Sequence, residues 1–320
     1  MESTTPRQNG STSNDSTRIV VISFFLSLVC LVGVLGNLLV IWIILRHVKK
    51  LSATLLLILN LVVADLLTAV IIPLIIYQWT IDASHNGLLK APSYLILSFM
   101  YISVFSITVI SVLRFVSVKH TMSLQKWQRW GMTGKVIALI WVSAFILAAP
   151  VFTDSGLNRL YMTTLTQKSE AAYILEILVG FLIPFIIMCS CYALVFTKIN
   201  QLTFQTKNKG GMVILTVVVA FAVFWLPYQI SNALAISLFH RDASETTCDF
   251  ILKMKSSGII LAFASSCVNP ILYACTVQAF KSGFKLSNIA TLFEEMNTRL
   301  TEKSDKTTDD VEEKGDQPAT

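Results

Sequence analysis

The chain contains seven long apolar runs, and each is about as long as a helix that crosses a lipid bilayer. Such a helix needs roughly 20 mostly apolar residues, and it must be helical because lipid offers its backbone no hydrogen bonds. The seven runs, which contain almost no charged side chains, are residues 19–45, 51–81, 91–113, 136–153, 171–196, 211–240 and 256–280. The sequence therefore predicts an all-α membrane protein, with a seven-transmembrane helix bundle over residues 19–277.

The amino-acid composition agrees with membrane burial and argues against a nucleic-acid partner. Hydrophobic residues make up 54% of the chain and charged residues only 14%, whereas a soluble domain carries about 25% charged residues. The formal net charge is +6, but the basic residues cluster beside the apolar runs, where they suit the anionic surface of a membrane. We therefore expect no nucleic-acid binding.

Basic residues are concentrated in the segments that follow the first, third and fifth runs, which all lie on the same side of the membrane. Arg46 and Lys49 follow the first run, Lys119 follows the third and Lys198 follows the fifth, whereas the opposite side carries acidic residues. The positive-inside rule then predicts a multi-pass protein of the plasma membrane, with an extracellular N-terminus and a cytoplasmic C-terminus.

The two ends of the chain differ in composition. Residues 1–18 form a polar extracellular tail with glycosylation sequons at Asn9 and Asn14, which are usable only outside the cell. Residues 278–290 place apolar and basic side chains at helical spacing, which predicts a short amphipathic helix on the inner leaflet. Residues 291–320 are rich in Thr, Asp, Glu and Lys, which predicts a disordered cytoplasmic tail.

Six of the runs carry a characteristic polar residue or proline. In chain order these are Asn37; Asn60 and Asp65; Trp141 and Pro150; Pro184 and Tyr192; Trp225 and Pro227; and Asn269, Pro270 and Tyr273. Over residues 19–286 this set resembles the landmarks of rhodopsin-like (class A) G-protein-coupled receptors. Glu176, eight residues before Pro184, and the segment Ser-Ser-Cys-Val-Asn-Pro-Ile-Leu-Tyr-Ala-Cys that ends at Cys275 look like leukotriene B4 receptors.

The resemblance implies a coupling site and a switch at the cytoplasmic side. Arg114, at the end of the third run, would receive a heterotrimeric G protein and stack with Tyr192 and Tyr273. Pro227 lacks a backbone N–H and kinks the sixth helix, which allows a hinge motion, and Trp225 would couple ligand contact to that hinge. The alternatives are an arginine that extends to the membrane surface and a tryptophan that only packs.

Asp65 would lie in the middle of the bundle, where a charged carboxylate is costly without a partner. The resemblance implies a sodium ion held by Asp65, Ser103 and Asn269. The alternative is a protonated Asp65 that forms a hydrogen bond with Asn269. We expect no other cofactor.

Residue types at the family's ligand positions exclude two ligand classes. Phe263 stands where retinal would need a lysine, and Ile96 stands where amine receptors carry an aspartate. Lys255 aligns with a basic residue of leukotriene B4 receptors and would bind a carboxylate, unless it is a solvated loop lysine.

The predicted ligand is therefore leukotriene B4 or a related oxidised fatty acid, with Tyr101, Glu176 and Trp225 also lining the pocket. A peptide or another chemoattractant is the alternative. A transporter would be expected to show internal repeats, which the chain lacks, and no catalytic motif appears, so we expect no enzyme.

Two departures from the family pattern affect regulation. Leu113 replaces the acidic residue that normally pairs with the neighbouring arginine, so we expect either raised basal activity or weakened coupling. In most family members a disulfide joins the outer end of the third helix to the second outer loop. Here Leu89 stands at the first cysteine position, and residues 154–170 of the loop contain no cysteine. Thr301, Ser304, Thr307 and Thr308 are candidate phosphorylation sites for receptor kinases, with arrestin as a further partner.

Overall fold

The computed structural model describes residues 9–48, 51–80, 90–119, 130–152, 170–201, 209–238 and 244–280, together with residues 291 and 293. Over these ranges the chain forms seven helices. The first four are Asn9–His47, Ala53–Thr80, Lys90–Lys119 and Trp130–Ala148, the last of which continues into a short 3-10 helix, Ala149–Phe152. The fifth helix consists of the segments Glu170–Ile177, Leu178–Leu182 and Ile183–Gln201, and the last two helices are Lys209–Leu238 and Glu245–Phe280.

The helices overrun the predicted apolar runs, most of all in the first and seventh helices. The first helix begins at Asn9, inside the predicted tail, and the seventh begins at Glu245, eleven residues before its apolar run. Hydropathy marks only the part of a helix that lies in hydrocarbon, and the backbone bonding of a helix does not stop at that boundary. In the described ranges six helices are long and apolar enough to span a membrane by composition alone.

The third helix lies at the centre of the bundle and packs against the second, fourth, fifth and sixth helices. The seventh helix packs against the first, second and sixth and so closes the ring. Side chains that point away from the bundle are largely apolar, as expected for a surface that faces lipid, and include Val20, Phe24, Leu139, Ile146 and Val223.

Glycine permits the closest helix contacts. A Cβ added to Gly258 of the seventh helix would lie 2.7 Å from Tyr228 Cα of the sixth, and one added to Gly36 would lie 2.9 Å from Pro270 Cβ. Membrane helices associate through such close backbone contacts because hydrophobic burial offers little gain in lipid. These two glycines therefore set the spacing of the seventh helix from its neighbours.

The fifth helix contains a π-helical turn, Leu178–Leu182, between its two α-helical segments. π turns are rare and occur often at functional sites. Gly180 in this turn is buried, and a Cβ added there would lie 2.9 Å from Tyr101 Cε1 of the third helix. The π turn thus brings the fifth helix against the tyrosine that the sequence predicts as a ligand contact.

Several predicted features lie outside the described residues. They include most of the amphipathic helix at 278–290, the tail phosphorylation sites, Leu89 and most of the outer loop. Phe293 is described and is fully buried in the hydrophobic core. The packed part of the chain therefore reaches at least three residues into the predicted disordered tail.

Candidate functional site

Asp65 is buried at the centre of the bundle, with 2% of its surface exposed. Ser103 Oγ of the third helix donates a hydrogen bond to Asp65 Oδ1 at 2.7 Å, and Asn269 Nδ2 of the seventh donates to Asp65 Oδ2 at 2.6 Å. The structure thus brings together the three residues of the predicted sodium site, from three different helices.

A cavity of about 20 Å³ adjoins this carboxylate, and residues of the third, sixth and seventh helices complete its lining. That volume has room for about one water-sized particle. Carboxylate, hydroxyl and amide oxygens are the ligands that hard cations prefer, so the residues present fit a sodium ion. Both carboxyl oxygens accept a hydrogen bond in this arrangement, as an ionised carboxylate does, whereas the alternative, a protonated Asp65, would also have to donate one, to the amide oxygen of Asn269.

Trp225 lies between this centre and Pro227, the predicted hinge of the sixth helix. Its indole Nε1 donates a hydrogen bond to Ser265 Oγ of the seventh helix at 3.2 Å, and Trp225 also lines the cavity. Its ring lies 5.5 Å from that of Phe221, which lies 5.8 Å from Phe181 of the fifth helix. Two residues beyond Trp225, Pro227 interrupts the helix backbone bonding. Movement of the indole would therefore reach three helices.

Arg114 is buried inside the helix bundle, with 8% of its surface exposed, so it does not extend freely to the membrane surface. Tyr192 of the fifth helix lies beside Ser111 and within electrostatic range of Arg114. Leu113, at the family's acidic position, is buried too. The backbone of Tyr273 lies in the seventh helix, but its side chain is outside the described residues.

Lys255 lies in the other half of the seventh helix, fourteen residues from Asn269, which corresponds to about 21 Å along the helix axis. It is 1% exposed, so the alternative of a solvated loop lysine is wrong. Its Nζ donates a hydrogen bond to the Tyr173 hydroxyl at 2.8 Å and lies 4.3 Å from the centre of the tyrosine ring. Lys253, two residues before it, is exposed.

Tyr101 and Glu176 lie between this lysine and the centre of the bundle. Both side chains are buried, and both approach Gly180: an added Cβ there would lie 2.9 Å from Tyr101 Cε1 and 3.8 Å from Glu176 Cγ. Tyr101 also stacks on Phe105, with 6.0 Å between the ring centres. The predicted pocket residues of the third and fifth helices therefore form one cluster.

Two buried residues of the sixth helix were missed by the sequence analysis. Asn232 Nδ2 donates a hydrogen bond to Gln229 Oε1 at 3.4 Å, whereas Gln229 Nε2 and Asn232 Oδ1 have no hydrogen-bond partner in the part of the chain that the structure describes. Buried polar atoms without partners are rare, and binding sites are one explanation. The available signal was two amides at helical spacing, two and five residues after Pro227 and within an apolar run.

Asn60 holds three helices together. Its Nδ2 donates a hydrogen bond to Ser106 Oγ at 2.9 Å, and its Oδ1 accepts one from Trp141 Nε1 at 2.8 Å. Both side-chain groups of this buried amide are therefore satisfied, which favours a structural role.

Residues 36–273, about three quarters of the chain, match the family described as 7 transmembrane receptor (rhodopsin family). Somatostatin receptor type 1 of Rattus norvegicus is 30% identical over 301 residues, which cover 87% of this chain and 74% of the receptor. Somatostatin receptor type 2 of Mus musculus is 29% identical over 319 residues, which cover 92% and 84% of the two chains.

Leukotriene B4 receptor 1 of Homo sapiens is also similar, with 30% identity over 263 residues that cover 78% of this chain and 75% of the receptor. The matched segment contains the centre at Asp65, the helix-interrupting Pro227 and the lysine at position 255. The relatives are signalling receptors of the membrane and not enzymes. By family match and relatives alike, the chain belongs to the rhodopsin family of seven-transmembrane, G-protein-coupled receptors.

Proposed function

We propose that this G-protein-coupled receptor lies in the plasma membrane with its N-terminus outside, and that it responds to an acidic lipid. The proposed ligand is leukotriene B4 or a related oxidised fatty acid, and the proposed signal is activation of a heterotrimeric G protein. The observation that carries the ligand class is the buried ammonium of Lys255.

A buried ammonium suits a ligand with a carboxylate at one end. Hydrogen bonds between an ammonium and a carboxylate are about twice as strong as those between neutral groups, and lysine can donate three. The hydrocarbon part of such a ligand would lie among the apolar side chains between Lys255 and Trp225. Glu176, Gln229 and Asn232 supply buried partners for its hydroxyl groups.

A peptide ligand is the second candidate, and two observations favour it. Several of the relatives are somatostatin receptors by name. Gln229 Nε2 and Asn232 Oδ1 provide a donor and an acceptor without partners, which complements the carbonyl and N–H of a peptide group. A peptide carboxylate would use Lys255 in the same way as a fatty acid.

The deciding experiment is a G-protein nucleotide-exchange assay on cells that express the receptor. The probes are leukotriene B4, its uncharged methyl ester and a somatostatin peptide. We expect activation by leukotriene B4, at least tenfold weaker activation by the ester, and no activation in Arg114→Ala at equal surface expression. Activation by the peptide and not by either lipid would replace the first candidate with the second.

The role of Lys255 is tested in the same assay with a matched pair of variants. Lys255→Met keeps the length of the side chain and removes its charge, and Lys253→Met does the same at an exposed position two residues away. We expect only the first variant to lose leukotriene B4 potency. Because the ester carries no charge, its potency should be the same in both variants.

Two further partners are proposed on sequence grounds. Asp65, Ser103 and Asn269 would hold an allosteric sodium ion in the resting state, and the contacts above support that assignment. Receptor kinases and arrestin would act on the threonines and the serine of the C-terminal tail, which lies outside the described residues.

A further inference from the structure

The first turns of the third helix are bonded to two neighbouring helices through two consecutive residues. Ser93 Oγ donates a hydrogen bond to Gln78 Oε1 of the second helix at 3.3 Å. The Tyr94 hydroxyl donates one to the backbone oxygen of Phe145 in the fourth helix at 3.1 Å. Because consecutive residues of a helix point about 100° apart, the two bonds run in different directions.

Both bonds belong to packed interfaces inside the bundle. Ser93 is fully buried and Gln78 is 5% exposed. The ring of Tyr94 packs on that of Phe145, with 5.9 Å between the ring centres. Gln78, Ser93 and Tyr94 also make other contacts, so the two bonds are part of a larger interface. Hydrogen bonds between membrane helices contribute to holding them together, because hydrocarbon offers polar groups no other partner.

The sequence offers no covalent restraint at this end of the third helix. The disulfide that the family resemblance implies would start at Leu89, and neither this position nor residues 154–170 of the loop contain a cysteine. A disulfide restrains one point of a helix. Two bonds in different directions restrain both its position and its rotation about its own axis.

The rotation of this end determines where Tyr101 lies. Tyr101 follows Tyr94 by seven residues, so it lies about 10.5 Å further along the helix and on nearly the same face. It fits closely against the fifth helix, where a Cβ added to Gly180 would lie 2.9 Å from Tyr101 Cε1. Such a close contact leaves little room for rotation, so a turn of the helix at Tyr94 would separate Tyr101 from Gly180.

We propose that Gln78, Ser93 and Tyr94 are positioning residues that take the place of the disulfide. They hold the first turns of the third helix to the second and fourth helices, and thereby keep Tyr101 against the fifth helix. The inference rests on the fold and not on the proposed ligand, so a receptor that fails to respond to leukotriene B4 leaves it intact.

Hydrogen exchange of the full-length receptor in nanodiscs measures this end of the helix directly. Tyr94→Phe removes one bond and keeps the ring on Phe145, and Ser93→Ala removes the other. We expect each change to speed backbone exchange in residues 91–97 by about fivefold. The double variant should reach about 25-fold, because the two bonds go to different helices. Exchange in residues 108–117 of the same helix should not change.

Two further variants isolate the bonds from the other contacts. Gln78→Met keeps the length of the side chain and removes the acceptor, so adding Ser93→Ala to it should have no further effect on exchange in residues 91–97. Ser98→Ala is the matched control, because it removes a serine hydroxyl whose hydrogen bond goes to Tyr94 O of the same helix. We expect it not to speed exchange.

Tyr101 supplies a readout that a loss of stability alone would not move. Fluorotyrosine is incorporated at all eight tyrosines, and Tyr101→Phe assigns the fluorine resonance of Tyr101. Below the melting temperature of each variant, we expect this resonance to shift or split when Ser93→Ala and Tyr94→Phe are combined. In Ser98→Ala it should stay in place.

Exchange that rises equally along the third helix, or that does not rise in Tyr94→Phe and Ser93→Ala, would overturn the proposal. A Ser93→Ala effect that persists in full beside Gln78→Met would also contradict it. The same holds for a Tyr101 resonance that does not change in the combined variant.

Discussion

At the scale of the single residue, Asp65 makes a prediction that needs no knowledge of the ligand. An ion that binds only the folded receptor stabilises it, by about 1.4 kcal/mol at ten times its dissociation constant. We expect sodium chloride to raise the melting temperature of the purified receptor above that in choline chloride at equal ionic strength. Asp65→Asn should remove the difference, because it removes the charge that the ion neutralises.

The control for this experiment is Asp65→Asn in choline chloride, which shows whether the variant folds. A sodium effect of the same size in wild type and variant would contradict the sodium site. It would leave the protonated carboxylate, held by Ser103 and Asn269, as the correct description.

Leu113 makes the second prediction at this scale. The family resemblance implies that an acidic residue here restrains the neighbouring arginine in the resting state, and leucine supplies no charge for that. We expect Leu113→Asp to lower basal nucleotide exchange per receptor at the cell surface, because Arg114 then gains a partner in the inactive state.

Leu113 is buried, so an aspartate there also costs stability. Leu113→Asn is the matched control, since it introduces a polar group of the same size without the charge. If the two variants show the same basal exchange, charge at this position does not restrain the receptor. If Leu113→Asp raises the exchange, weakened coupling in the natural chain becomes the better interpretation.

At the scale of helices, the contact between the sixth and seventh is predicted to tolerate no added atom. An extra methyl group at Gly258 would lie 2.7 Å from Tyr228 Cα and 2.8 Å from its backbone nitrogen, and neither backbone atom can rotate away. We expect Gly258→Ala to destabilise the receptor by about 1–3 kcal/mol, measured as a lower melting temperature.

Gly131→Ala is the matched control for this change. Among the described residues, nothing lies within 4 Å of a Cβ added to Gly131 of the fourth helix. Alanine favours a helix over glycine by roughly 1 kcal/mol, so this variant should be neutral or more stable. Equal melting temperatures for the two variants would show that the sixth and seventh helices can separate without cost.

The helices also show where sequence reasoning reaches its limit. Apolar runs predict the number and order of the spans, because burial in lipid is a property of the whole run. They do not predict helix ends: the first and seventh helices continue through polar residues, to Asn9 and Glu245. At the start of the seventh helix, Ser244 Oγ accepts a hydrogen bond from the backbone N–H of Thr247 at 3.3 Å. The π turn around Gly180 has no distinctive residue pattern either, and it lies where the fifth helix packs closely against Tyr101.

At the scale of the whole molecule, the centre of the bundle was predictable and its outer half was not. Asp65 and Asn269 are 204 residues apart, and the landmark pattern alone pairs them correctly. The burial of Lys255 could not be predicted, because its partner Tyr173 lies 82 residues away and belongs to no motif. The burial of Gln229 and Asn232 could not be predicted either, because it depends on how the sixth helix is rotated about its axis.

The orientation of the whole molecule gives the last prediction. The basic residues beside the spans predict a cytoplasmic C-terminus, on the side where a G protein could reach Arg114. Asn9 and Asn14 would then be outside and available for glycosylation. We expect a glycosidase to increase the gel mobility of the wild-type receptor, and to have no effect on a variant with Asn9→Gln and Asn14→Gln.

Epitope tags provide the independent measurement of this orientation. An N-terminal tag should stain on intact cells and a C-terminal tag only after permeabilisation, in wild type and in the double variant alike. Staining of the C-terminal tag on intact cells would contradict the predicted orientation. It would also place the proposed ligand site between Lys255 and Trp225 on the cytoplasmic side, where no extracellular lipid or peptide could reach it from water.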